Sequence, residues 1–140
     1  MSKDRPRLLA RRLTGGSDLR FAIEIWCKDE HIEAAVPLSL VGSLSVAAIR
    51  FAGESEPVVL EGPFEIVAST GTIGLDGVHI HLSLADSKGT IIGGHLSKGS
   101  VINTTVELTA IDFSQAYRFC RVIDPTTGLL ELDCKEKIEN

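Results

Sequence analysis

Residues 78–96 read VHIHLSLADSKGTIIGGHL. Two runs of strand-type residues flank Asp86-Ser87-Lys88-Gly89, a sequence that suits a three-residue hairpin loop: a type I turn followed by Gly in the left-handed region. With Ser87, Lys88 and Gly89 as the loop, Asp86 pairs with Thr90. Counting back along both strands then places His95 opposite His81. A two-residue loop would shift the register and turn His95 to the other face. Gly93-Gly94, just before His95, marks either a bulge or a close approach of another backbone.

The flanking sequence extends this antiparallel pattern. On the C-terminal side, Val101 to Ile111 reads as a strand, and shorter strands cover Tyr117 to Ile123 and Leu129 to Leu132 around the turn Asp124-Pro125-Thr126-Thr127-Gly128. On the N-terminal side the short, branched runs Val36–Leu40, Val46–Phe51, Pro57–Leu60 and Phe64–Ile73 are punctuated by Gly or Pro. One segment differs: Leu19, Ala22, Ile23, Trp26 and Cys27 recur at helical spacing, with Arg20, Glu24 and Lys28 between them. Gly15-Gly16 precedes it, Ser17 is the expected N-cap, and the helix is expected over Asp18 to His31. One helix among many hairpin-spaced strands predicts an α+β fold with a central, mainly antiparallel sheet.

The 140 residues, with 44% apolar and 24% charged, fit one globular domain with a real core. Residues 1–12 form a basic segment leading into the first strand, and 13–140 form the remainder of that domain. The basic segment holds Lys3, Arg5, Arg7, Arg11 and Arg12 against Asp4, leaving the other 128 residues with 9 basic and 18 acidic groups. A body this acidic repels phosphate backbones, so nucleic acid would have to bind through the arm, by Arg5, Arg7, Arg11 and Arg12. Cys27, Cys120 and Cys134 show no paired spacing and read as reduced thiols. With no signal-peptide or membrane-length apolar run, the expected location is the cytoplasm.

His79 and His81 share a strand face because side chains alternate, and the hairpin register brings His95 onto that face, with cross-strand Cβ atoms about 4.5–5.5 Å apart. Three imidazoles converging on one point suit zinc or another divalent transition metal. The other reading is a merely polar, solvated sheet face. Glu107 is the carboxylate considered first as an outer-shell partner or acid/base. His31 reads as stabilising the helix end, Cys27 as a core residue, and Arg50 as an edge charge or a contact for an anionic ligand. No nucleophile motif or phosphate-binding glycine loop is present.

Several blocks resemble the plant-and-prokaryote-conserved (PPC) domain: Gly15-Gly16-Ser17-Asp18-Leu19, Gly42-Ser43-Leu44, Gly62-Pro63-Phe64-Glu65-Ile66 and Ser69-Thr70-Gly71-Thr72-Ile73. The most specific is His79 to Leu96, followed by Thr104-Thr105-Val106-Glu107 and the closing Arg121 to Gly128. The resemblance implies a compact α+β domain assembled as a homotrimer, with a histidine block typical of prokaryotic members. Plant members place the domain after AT-hooks. Here Asp4-Arg5-Pro6-Arg7 lacks the hook's central glycine, so a minor-groove hook is missing. Three readings follow: a metal-binding protein, a DNA-associated regulator using the basic arm, or a protein-interaction module.

Overall fold

The computed structural model describes residues 5–138, so Lys3 and Asp4 of the basic segment lie outside the described residues. The elements run β1 (Arg7–Thr14), α1 (Leu19–Asp29), β2 (Ala34–Arg50), β3 (Val58–Gly74), β4 (Gly77–Ala85), β5 (Ile91–Leu96), β6 (Val101–Asp112), β7 (Tyr117–Ile123) and β8 (Leu130–Glu136). All pairings between strands are antiparallel, as expected for this α+β class. Six strands form one sheet in the order β1-β6-β2-β3-β4-β5, and β5 also pairs with the end of β2. The sheet therefore curls back on itself. Strands β7 and β8 form a separate ribbon. Among the described residues no helix is long and apolar enough to cross a membrane.

Alternation decides which side of the sheet faces the core. On β4, Val78, Ile80, Leu82 and Leu84 are buried, which puts His79, His81 and Ser83 on the opposite face. The buried residues join Leu44, Ile49, Ile73, Leu96 and Ile102 with Leu19, Ile23, Trp26 and Cys27 of α1 in one cluster. Cys27 is thus the core residue its place on the apolar helix face suggests.

Three boundaries differ from expectation. Asp18, not Ser17, caps the helix: its extended backbone lets its carboxylate accept from the Phe21 N–H at 2.9 Å. Ser17 instead accepts the Ile102 N–H on its carbonyl, at 2.9 Å. The helix stops at Asp29, and His31 lies beyond it with φ 55° in the left-handed region. The four N-terminal strand segments merge into two 17-residue strands, β2 and β3. The register shift near Leu44–Val46 falls in the expected gap between the first two segments, whereas the one near Ile66–Ala68 lies within the expected strand Phe64–Ile73.

From Arg7 onward the basic segment is part of the sheet. Residues 7–14 pair along β6 at the sheet edge. Arg7 donates from Nε to Asp112 Oδ2 at 2.7 Å and from its guanidinium to the Glu30 carbonyl at 2.9 Å. Asp112 is 1% exposed, so Arg7 neutralises a buried carboxylate that would otherwise be strongly destabilising. Arg5, Arg11 and Arg12 are exposed, with Arg12 opposite Glu107. Deleting residues 2–12 would remove most of an edge strand, not only its charge.

Candidate metal centre

The hairpin that carries the histidines forms as its loop predicts. Asp86 and Thr90 pair, the Gly89 N–H donates to the Asp86 carbonyl at 3.0 Å, and Gly89 has φ 80°. The Asp86 carboxylate also accepts from the Lys88 and Thr90 N–H groups at 2.8 and 2.9 Å, which fixes the loop. The resulting register sets His81 directly opposite His95. Gly93-Gly94 marks close backbone approach. A Cβ on Gly93 would lie 2.3 Å from the Leu82 carbonyl oxygen, and one on Gly94 would lie 2.6 Å from that of Arg50. Strand β5 is wedged between β4 and β2, and only residues without side chains fit there.

His79, His81 and His95 gather on one face, each offering a ring nitrogen within 4.8 Å of the others. Their ring centroids are 5.0, 5.1 and 5.7 Å apart. His79 Nε2 and His81 Nε2 are 3.1 Å apart, and His95 Nδ1 is buried without a hydrogen-bond partner. Three nitrogen donors of this kind fit a borderline divalent ion, so the group could hold a metal ion.

Three arginines surround the group. Arg121 of β7 approaches His79 Nδ1 at 3.1 Å and donates to Thr72 Oγ1 at 3.0 Å. Arg20 of α1 approaches His95 Nε2 at 3.3 Å and donates to the Leu96 carbonyl at 3.1 Å. Arg50, at the end of β2, stands directly opposite His95. Burial, then the positive charge of Arg50, pushes the His95 imidazolium down to about 4. Burial, then Arg121, lowers His79. At neutral pH both rings are therefore uncharged, with a lone pair available.

These shifts set a pH dependence for the metal-free protein. Unfolded, His95 takes a proton near the ordinary histidine value of 6.5; folded, it does so only near about 4. Between those values the unfolded chain holds more protons, so stability falls as pH falls, and His79 contributes in the same direction. We expect urea midpoints to decline from pH 6.5 to 5, above the range where carboxylates titrate, and His95→Gln to flatten that slope. An unchanged slope in this variant would contradict the assignment.

Glu107 does not join the group. It is exposed on β6, paired with Arg12 and Val41, and both β2 and β3 lie between β6 and β4. Sheet order, which the sequence does not display, separates it from the histidines. Sequence reasoning missed Arg20, which reads as a polar helix position, and took Arg121 only as part of a closing turn. His31 lines a cavity of about 710 Å³ between α1 and the β3–β4 turn, which shares Arg20 with the histidine group. Burial, then Glu24, pushes the Cys27 thiol beside that cavity up to about 12, so it is inert.

Fold and site together define a class: a small antiparallel α+β domain with three imidazoles gathered on one hairpin. The chain belongs to the Plants and Prokaryotes Conserved (PCC) domain family, whose model matches residues 2–114. A hypothetical protein from Salmonella has the same fold, with TM-score 0.91 and 30% identity over 96% of this chain and 97% of its own. A metal-containing protein from Archaeoglobus fulgidus is 28% identical, with TM-score 0.76, covering 91% of this chain and 93% of that one. Among curated proteins, the chain is 42% identical over 133 residues to the bifunctional protein GlmU of Synechococcus sp. (strain JA-3-3Ab). That match covers 95% of this chain but 21% of the relative, so the chain spans about a fifth of its length.

Proposed function

We propose that this chain is a divalent-metal-binding protein, with zinc the expected ion and His79, His81 and His95 its ligands. The observation that carries this reading is the meeting of three imidazole nitrogens within 4.8 Å on a hairpin whose loop fixes its register. The metal-containing Archaeoglobus fulgidus protein of the same fold supports it. An ion held by these three histidines would supply Lewis-acid chemistry. The chain's own part is to hold His79 and His95 neutral and to hold the three rings on paired strands.

Added zinc should raise the thermal midpoint of chelator-treated protein. At free zinc a thousandfold above Kd the gain is about 4 kcal/mol, or roughly 10 °C for a domain of this size. A midpoint unmoved by saturating zinc would contradict the proposal.

The same reading includes self-association as a homotrimer, supported by the exposed apolar side chains Leu38 and Val41 of β2 and Val59 and Val67 of β3. The three unpaired cysteines support a reducing, cytoplasmic setting. DNA binding through the basic arm is the weaker reading, because Arg7 is committed to Asp112 and Arg12 stands opposite Glu107, which leaves Arg5 and Arg11.

A further inference from the structure

We infer that Arg20, Arg50 and Arg121 form a clamp for a small oxyanion, a carboxylate or a phosphate, that binds alongside the metal at the three-histidine group. This rests on the metal reading above and names the class of ligand that the site takes.

The first ground is charge. Two guanidiniums reach imidazole nitrogens, those of Arg20 on α1 and Arg121 on β7, and the charge of Arg50, which pairs opposite His95 on β2, acts on His95 as well. Arg20 is paired with Glu24 at 3.1 Å, but the same carboxylate also serves Lys98 at 3.5 Å. Among the described residues, neither Arg50 nor Arg121 has a carboxylate within ion-pair distance of its guanidinium. Asp76 lies nearby but accepts from the Arg121 backbone N–H, and Arg50 donates to the Glu54 carbonyl. A divalent cation placed among half-buried guanidiniums adds positive charge where it is already uncompensated. An accompanying anion removes that penalty.

The second ground is proton accounting. A guanidinium only donates, so His79 Nδ1 accepts from Arg121, and the single proton of the neutral ring sits on Nε2. It is then donated to His81 Nε2, 3.1 Å away. If the ion uses Nε2 of His79, that proton must leave Nε2, and in a neutral ring it moves to Nδ1. An N–H there no longer accepts from Arg121, whose guanidinium keeps Thr72 Oγ1 and becomes free for another acceptor. At His95, Arg20 points toward Nε2, where a metal-bound nitrogen would likewise have no lone pair to offer. Metal entry thus releases the donors that an oxyanion needs. Arginine recognises carboxylate and phosphate alike through paired N–H groups.

Cobalt(II) loaded into the protein gives a visible spectrum that responds to a change in the ion's ligands. We would titrate the loaded protein with malonate and, separately, with inorganic phosphate. The clamp predicts a saturable spectral change with at least one of them: malonate identifies a carboxylate ligand, phosphate a phosphoryl one. Arg121→Gln and Arg50→Gln should each weaken that anion by roughly tenfold or more, the effect of losing a charge-assisted hydrogen bond, with cobalt content unchanged. Full cobalt loading with no response to either anion, or variants that bind as the wild type does, would overturn the clamp. A protein that takes up no cobalt contradicts the metal reading. Because the clamp's donors come free only when the metal enters, that outcome removes the clamp as well, whereas full loading without an anion response overturns the clamp alone.

Discussion

The His81→Ala protein is expected to fold as the wild type does and to retain no metal through desalting. His81 is the most exposed of the three ligands, and its ring lies on the face away from Ile80 and Leu82. Exposed substitutions of this kind usually change stability by about 0.5 kcal/mol or less. The effect on metal is of another order. Zinc centres keep at least three protein ligands, and His79 with His95 supply only two. We expect affinity to fall by more than about 100-fold, beyond what loss of a mere supporting hydrogen bond costs. Circular dichroism and metal analysis on the same sample separate the two effects. A variant that keeps its metal, or one that loses it only because it has unfolded, would contradict the role given to His81.

Gly94→Ala is expected to cost both stability and metal, although it alters no ligand. The added methyl would lie 2.6 Å from the Arg50 carbonyl oxygen and 2.9 Å from Ile49 Cγ2. Neither the backbone atom nor the buried Ile49 side chain can move away cheaply. Strand β5 must shift from β2, which breaks the pairings Ile49–Leu96 and Arg50–His95 that close the sheet. Overpacking of this kind costs about 1–3 kcal/mol, and His95, the next residue, moves with the strand. The urea midpoint should fall and zinc affinity should drop in the same variant. Full stability together with full zinc affinity would mean that β5 is not held in the wedge described.

The histidine hairpin was legible because its determinants are local. Asp86 and Gly89 fix the loop, the loop fixes the register, and the register delivers His95 opposite His81. The helix was legible from the spacing of Leu19, Ile23, Trp26 and Cys27, but its cap was misplaced by one residue. Ser17 and Asp18 are both good capping residues, and the choice between them depends on β6, where Val101 bridges to Asp18. The division of β2 and β3 into shorter strands failed for a similar reason. Gly and Pro end an isolated strand, whereas here neighbours on both sides keep each strand paired through a bulge. The arginines were the least legible part of the site. Arg20 and Arg121 lie 75 and 42 residues in sequence from the imidazoles they approach, and only the curled sheet, the packed helix and the β7–β8 ribbon bring them there. Glu107 shows the converse: a carboxylate in a well-predicted strand, placed on the wrong side of the sheet order to reach the histidines.

The most direct test of the central claim is the metal content per chain of untagged protein, purified without chelator and measured by elemental mass spectrometry. Stoichiometric zinc or another divalent transition metal is the expected result. Protein that remains metal-free even after incubation with zinc and desalting would contradict it.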